Sequence, residues 1–587
     1  MKIIGVFHGI DPAACLFVDG ELVAYVEEER LIRYKHAAGL FPIRAIDYCC
    51  KSQGIDISEV DYLAYGWDCE AYSDGRIAQF YEQVNAQYPP DAGTMGWQRG
   101  NISQFNIDRQ RELFRSQIVR FFGNVNVPPL KTVPHHYSHA VTAYHMSELD
   151  EALVLTIDGS GDSQTTVVWR GQGDSLEMLH EVKIPHSLGW FYAAMTEYLG
   201  FKAYDGEYKV MGQAAFGRPN LKYREALEQI VTVADDGFSF CVNPKAIHHG
   251  IHTFSYRHTD YLVELFGLEP RLGNIPIDER HEDLAYETQR MLEVTVLRLL
   301  SHFQEETGIR NLCISGGVGL NVKMNSALHK SRLFDKILPF PIPSDSGTGI
   351  GAAAALHYEM TGERVNPLKH VYLGPGYTDE EIELQIQSCG LAYERCEDIA
   401  AVTADLLAAG KVVGWFQGRL EGGPRALGSR SILADSRTVE ARDRVNQAIK
   451  FREYWRPFCP SLTVESKDRF MQQADEAPYM IMAFDATEES AEKAQAVVHI
   501  DGTMRVQTVN AEHNPVYHRL LEAFEEQAGI PIVLNTSFNI KGEAIVCSPR
   551  DALRTFWTTG LDALAIGSFL VEKPYKPAPI EPKQVIR

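Results

Sequence analysis

Three stretches of the chain share one pattern, an apolar, β-rich run that ends abruptly in a glycine turn carrying a small or acidic residue. They are residues 2–11 (KIIGVFHGID), 152–162 (ALVLTIDGSGD) and 311–321 (NLCISGGVGLN). A buried strand followed by glycine lets backbone N–H groups approach a phosphate closely, because no Cβ stands in the way. A single such turn is ordinary. Three of them are separated by helical stretches such as 283–303, where Leu284, Met291, Leu292, Val296, Leu299 and Leu300 recur on successive turns. That order points to an α/β fold that grips a nucleotide from several sides.

An alanine-rich helical run, GAAAALHYEM, starts at Gly351 and leads into a punctuated stretch with Gly362, Pro367, Gly374, Pro375 and Gly376. A domain boundary is expected there, giving residues 1–365 and 366–587. Beyond it the pattern restarts with a helix at 379–388 and strands at 411–416 and 530–534, and the proline-rich tail 573–587 is expected to lie extended or to be mobile. Lys plus Arg number 56 against 78 Asp plus Glu, a net charge of −22. Nucleic acid and anionic membranes are therefore not expected partners. Ten cysteines without a CxxC pair argue against a disulfide framework, and neither a signal-peptide core nor a run of about 20 apolar residues is present, so the cytoplasm is the expected compartment.

Three constellations carry chemistry. In PHHYSHA, His135 and His139 stand four apart after Pro134, which puts two imidazoles on one helix face. That geometry suits two ligands of one metal ion and equally a pair of structural histidines. The zinc-protease pattern is excluded, because it needs glutamate where this chain has His136. Asp158, on a strand nearby in sequence, is a candidate carboxylate ligand, and the histidine–carboxylate set suits iron, manganese or zinc alike. A second cluster, His248, His249, His252 and His258, has no regular period and reads as a loop. The segment 418–458 carries nine basic against five acidic residues, an excess of +4 within an acidic chain. Arg419, Arg425, Lys450 and Arg456 lie beside glycines and aromatics and suit an anion, whereas 437–444 reads as a solvated helix face. Finally, Asn535, Thr536, Ser537 and Asn539 follow a strand and precede Gly542, a set able to orient a small planar polar group.

Together with EYKVMGQAAFG, SGGVGLNVKMN, SDSGTGIGAA, GRLEGGPRALGSRSILAD, FREYWRPFCPS, DGTMRVQ and LNTSFNIKGE, these residues resemble the O-carbamoyltransferase family of the nodulation protein U, cephamycin carbamoyltransferase and tobramycin carbamoyltransferase type. The likeness spans nearly the whole chain. It implies an N-terminal domain of the actin-like ATPase superfamily, similar to tRNA threonylcarbamoyl-transfer proteins, and a C-terminal YrdC-like α/β domain. It further implies that the C-terminal domain makes carbamoyl adenylate from carbamoyl phosphate and ATP, with Mg2+ accompanying ATP. The N-terminal domain would then pass the carbamoyl group to a hydroxyl of a small natural product or sugar, as in antibiotic or secondary-metabolite biosynthesis. By the same resemblance His135, His139, Asp158 and Asp345 would hold a metal, with Fe(II) expected, and Gly316, Gly317, Asn321 and Asn325 would form the nucleotide loop. Lys450, Arg456, Arg505, Arg425 and Ser537 would bind carbamoyl phosphate, with Arg419 and Asn535, taken from their own surroundings, expected beside them, and Asp11 and Lys35 would be catalytic.

One departure stands out. The family usually has His-Asp in the first loop, where this chain has Ile10-Asp11 with His8 two residues earlier. Either His8 reaches the same space, or acceptor deprotonation depends on Asp11 and the metal environment. Acceptor choice is expected in loops, with 248–258 and 73–104 as candidates. A tRNA-modifying enzyme is the first rival, disfavoured by the −22 charge, and a nucleotide-dependent switch is the second, for which the arginine cluster has no use.

Overall fold

The computed structural model describes residues 1–248, 257–273, 275–451, 453 and 455–573. His249, His252, Arg452 and the proline-rich tail beyond residue 573 lie outside the described residues. The chain divides into two compact units, one of Met1–Glu28 with Ala37–Leu368 and one of Glu29–His36 with Lys369–Arg587.

The first unit repeats one sheet topology. Strands β1 (Lys2–Phe7), β2 (Ala13–Val18), β3 (Glu21–Glu27), β4 (Tyr62–Tyr65) and β5 (Leu130–Thr132) form a sheet in the order β3-β2-β1-β4-β5. Strands β6 (Glu151–Gly161), β7 (Gln164–Gln172) and β8 (Ser175–Lys183) make a second antiparallel run. After the small pair β9 (Val231–Val233) and β10 (Phe240–Val242), strands β11 (Asn311–Ser315) and β12 (Lys336–Pro339) complete the order β12-β11-β6-β7-β8. Each sheet is thus three meandering antiparallel strands followed by two parallel ones, the duplicated plan of the actin-like ATPase fold. Each glycine turn foreseen in the sequence falls at a strand end, after β1, at the end of β6 and after β11.

Between β4 and β5, the segment expected as a loop at 73–104 is largely helical, Arg76–Gln87 and Ala92–Gln104. Ile77, Tyr81 and Val84 are buried at helical spacing, and Asp91 caps the second helix by accepting from Thr94 N at 2.7 Å. Trp97 packs edge-on against Trp190 at 5.9 Å.

The second unit is built on an eight-stranded mixed sheet. Its strands and a small hairpin are β13 (Glu394–Arg395), β14 (Val413–Phe416), β15 (Arg430–Asp435), β16 (Cys459–Thr463), β17 (Ala483–Asp485), β18 (Thr503–Arg505), β19 (Gln507–Val509), β20 (Ile532–Ser537), β21 (Ala563–Ile566) and β22 (Phe569–Glu572). The sheet order is β13-β22-β21-β14-β15-β20-β16-β19, with β17 and β18 paired apart. Within this unit Arg30 Nη2 donates to Gly423 O at 2.9 Å and Arg33 Nη2 to Ala544 O at 2.8 Å, which fastens the Glu29–His36 segment. Among the described residues no helix is long and apolar enough to cross a membrane.

Candidate metal centre and anion site

The helix His135–His145 carries the paired histidines, and ten of its residues from His135 to His145 are buried. A helix buried all round must pack closely on several sides. Here the alanine-rich helix Thr348–Thr361 comes so near that a Cβ on Gly351 would stand 1.9 Å from Ser138 O. Only glycine permits that approach, which presses the histidine helix toward the strand ends. Parallel pairing of β6 with β11 sets Thr156 beside Ser315, so Asp158 and the Gly316–Gly317 turn leave the sheet side by side. Asp345 precedes the alanine-rich helix.

These elements bring His135, His139, Asp158 and Asp345 together, one ligand atom from each lying within 4.8 Å of the others. His139 Nε2 is 3.3 Å from Asp158 Oδ2 and 3.8 Å from Asp345 Oδ1, and His135 Nε2 is 3.7 Å from Asp345 Oδ1. The opposite ring nitrogens are anchored, His135 Nδ1 at 3.2 Å from Gly66 O and His139 Nδ1 at 3.1 Å from Ser315 Oγ. Both Nε2 atoms are buried without a hydrogen-bond partner. Two imidazoles oriented from behind, with their free nitrogens converging on two carboxylates, fit a divalent ion.

Electrostatics agree. Burial works against a charged His139, yet the facing carboxylates of Asp158 and Asp345 outweigh it and raise its pKa to about 9. Burial also opposes ionisation of Asp158, but His139 and His135 and the Gly317 N–H hold it below the usual carboxylate range. Burial and the charge of Asp158 push Asp345 up to about 7. His139 and Asp345 thus tend to hold protons that a bound cation would displace. Asp162, pushed up to about 7 chiefly by burial, accepts from His135 N at 2.9 Å and Asp68 N at 3.1 Å and fixes the start of the helix.

The nucleotide-loop residues adjoin this cluster. Gly317 N donates to Asp158 Oδ2 at 2.9 Å. Gly316 has φ +92°, and a Cβ there would meet Ile157 O at 2.2 Å. Asn321 caps the following helix and forms a reciprocal amide pair with Gln289, 3.0 Å each way. Asn325 is fully buried and donates to Gly319 O at 2.9 Å, so it shapes the loop from beneath. Asp11 lies in the turn between β1 and β2 with φ +60°. His8 has its own partners: Nε2 is 2.9 Å from Gln110 Oε1, and the ring stacks on Tyr65 at 4.8 Å. Burial lowers its pKa, favouring the neutral ring. Lys35 belongs to the Glu29–His36 segment of the second unit. In the histidine cluster read as a loop, His248 Nδ1 is 3.0 Å from Asp91 Oδ2 and His258 packs on Tyr198 at 5.2 Å.

The second unit brings Lys450 to Ser537 at the end of β20, the strand that also carries Asn535. Lys450 closes a π-helical turn, is 5% exposed, and points its ammonium at Ser537 Oγ (3.2 Å), Asn539 O (3.0 Å) and Asn539 Oδ1 (2.8 Å). Ser537 Oγ donates to Asn539 Oδ1 at 2.7 Å. Asn535 Nδ2 donates to Ser461 Oγ at 3.0 Å and to Gln507 Oε1 at 3.2 Å. Its register partner is Cys459, whose Sγ lies 2.8 Å from Arg505 Nε. Arg456 pairs with Glu453 at 3.5 Å, and Arg425 is half-buried. Arg419 turns to the carbonyls of Leu373 and Gly374 and braces the loop. Arg430, unused in the sequence reading, is fully buried over the Phe416 ring at 3.6 Å. In the helix Val439–Val445, Arg442 and Arg444 pair with Asp443 and Asp562, as a solvated face would.

Residues 2–354 match the model of the carbamoyltransferase N-terminus and residues 404–573 that of the carbamoyltransferase C-terminus. The chain is 37% identical to nodulation protein NolNO of Sinorhizobium fredii, over 96% of this chain and 79% of that one. It is 36% identical to an uncharacterized protein of Synechocystis sp., over 97% and 96%. Among solved structures, HypF of T. kodakarensis aligns with 62% of this chain and 48% of its own at 12% identity, with a TM-score of 0.31. With both family halves matched in order along one chain, the protein belongs to the carbamoyltransferase family and is a transferase enzyme.

Proposed function

We propose that the protein is an ATP-dependent O-carbamoyltransferase that works in two stages, acting in the cytoplasm on a hydroxyl of a small natural product or sugar. The observation that carries this reading is the pair of buried, partnerless Nε2 atoms of His135 and His139 facing Asp158 and Asp345, beside a glycine turn whose N–H already serves Asp158. In the first stage, carbamoyl phosphate and water give carbamate and phosphate. A carbamate oxygen then attacks the α-phosphorus of ATP, carried with Mg2+, and pyrophosphate leaves. Lys450, Arg456, Arg505 and Arg425 would bind the phosphate and offset its charge, while Asn535 and Ser537 orient the carbamoyl amide and Arg419 holds the loop. This stage is assigned to residues 366–587.

In the second stage the acceptor oxygen attacks the carbamoyl carbon, the bond to the nucleotide phosphate breaks, and AMP leaves with the electron pair. This stage is assigned to residues 1–365. The turn at Gly316 and Gly317, with Asn321 and Asn325 behind it, would hold the nucleoside. A divalent ion at His135, His139, Asp158 and Asp345, Fe(II) by family resemblance, would supply Lewis-acid stabilisation of charge on the departing phosphate. The hydroxyl proton is assigned to Asp11, since His8 is engaged with Gln110 and Tyr65.

Purified protein supplied with ATP, carbamoyl phosphate and a panel of hydroxylated acceptors should release AMP and pyrophosphate and yield a product heavier by one carbamoyl group. Absence of AMP with every acceptor, together with absence of pyrophosphate, would refute the reading.

A further inference from the structure

Beside the metal-ligand cluster, in the same unit, lies a charged side chain that the reading above does not use. Arg257 is 1% exposed. Its Nη2 donates to the Tyr204 hydroxyl at 2.7 Å, but Nε and Nη1 are buried without a hydrogen-bond partner. Two carboxylates feel its charge. Glu207 is engaged by Tyr204 N and Gly206 N, whereas Glu197 accepts from Arg257 N through Oε2 and keeps Oε1 buried without a hydrogen-bond partner, so one carboxylate oxygen cannot serve both open guanidinium nitrogens. A guanidinium withdrawn from water with open donors is costly unless something else satisfies them.

The surroundings show where that something comes from. The guanidinium stands 5.4 Å from the Tyr204 ring and 5.9 Å from the Trp190 ring. Trp190 backs onto the metal-ligand strand end, since a Cβ on Gly159 would stand 2.9 Å from Trp190 Nε1. Tyr204 is 37% exposed, and its phenol feels the charges of both Asp345 and Asp158. The fork of Arg257 therefore sits behind an aromatic face that is open to solvent and adjoins the metal ligands. Among ligands that could fill open guanidinium donors, a phosphate group matches best in charge and acceptor count.

We infer that Arg257, held by Tyr204 and Trp190, is a receptor for a phosphate group brought to the metal-ligand cluster. The phosphate belongs either to the nucleotide or to the acceptor. The inference rests on the nucleotide reading of this unit for its first source only.

Calorimetric titration of the full-length, metal-loaded protein tests it with three probes: AMP, adenosine, and inorganic phosphate added to adenosine-saturated protein. Wild type is compared with Arg257→Gln and with Arg257→Lys, which keeps the charge and loses the fork. For the nucleotide source, the preference for AMP over adenosine falls about tenfold or more in Arg257→Gln and by less in Arg257→Lys, with adenosine affinity unchanged. For the acceptor source, that preference stays and binding of inorganic phosphate weakens by the same factor. If all three titrations are unaltered in both variants, the inference is overturned; should Arg257→Gln not fold, Arg257→Lys alone decides by the same criterion. If wild type binds neither AMP nor adenosine, the nucleotide reading fails, and inorganic phosphate alone then tests Arg257: weaker binding in the variants supports the inference, equal binding overturns it.

Discussion

Replacing Ser315 by alanine tests whether the glycine turn after β11 serves the metal ligands. Ser315 is fully buried, and its hydroxyl lies 3.1 Å from His139 Nδ1 and 3.4 Å from Thr142 Oγ1. Accepting the Nδ1–H fixes the ring so that Nε2 faces Asp158 and Asp345. Alanine keeps the Cβ packing and removes only that partner, so the ring loses its orientation and a buried donor is left unpaired. Loss of a ligand's orienting partner costs about 10–100-fold in metal affinity, equivalent to about 1.4–2.8 kcal/mol. The unpaired donor lowers the stability of the metal-free chain by about 1–3 kcal/mol. Competition against a chelator of known affinity measures the first quantity and denaturant unfolding the second. Thr142→Val is the control, because Thr142 Oγ1 donates to His139 O at 2.7 Å and reaches the ring only at second hand, through a 3.4 Å contact with Ser315. Its metal affinity is expected to stay within about twofold of wild type. Equal affinities for Ser315→Ala and wild type, or equal losses in both variants, would refute the reasoning.

Three further outcomes are expected. Without metal, His139 keeps its proton up to about pH 9 and Asp345 up to about pH 7, and a bound ion must expel both. Metal affinity measured across a pH series should therefore rise about tenfold per unit between 7 and 9, more steeply below 7, and level off above 9. Gly316→Ala places a Cβ at φ +92° and 2.2 Å from Ile157 O, so it should destabilise the first unit by about 2 kcal/mol or more, read from denaturant unfolding. Lys450→Met leaves the acceptors of Ser537 and Asn539 without their cation. It should slow pyrophosphate release about 100-fold, followed with a label on the β- and γ-phosphates of ATP.

The parts of this protein legible in its sequence are those written in local periodicity. Strand-then-glycine runs located β1, β6 and β11, and the four-residue spacing of His135 and His139 located two members of the His/Asp cluster, because both signals depend only on neighbours in the chain. Asp345 was reached through family resemblance alone, since nothing in SDSGTG separates it from any acidic turn. The groups that orient the ligands escaped altogether. Ser315 meets His139 across 176 positions and Gly66 meets His135 across 69, pairings created by sheet register and by the approach of Gly351 to Ser138. Arg257 and Tyr204 are 53 positions apart and carry no motif. The helix Ala92–Gln104 reads as a loop because glycine, glutamine and asparagine dilute its apolar stripe, and Trp97 packing on Trp190 holds it in place, whereas Arg76–Gln87 carries Ile77, Tyr81 and Val84 at a helical spacing that was there to be read.

If two sites divide the reaction, its two half-reactions must fail separately. Quench-flow of pyrophosphate release from ATP and carbamoyl phosphate, and of AMP release on adding acceptor, in wild type, Lys450→Ala and Asp158→Ala, decides this. Lys450→Ala is expected to abolish pyrophosphate release, and Asp158→Ala to lose metal and AMP release while forming pyrophosphate at the wild-type rate. Equal loss of both half-reactions in Asp158→Ala, in a variant that unfolds with the wild-type denaturant midpoint, would contradict it.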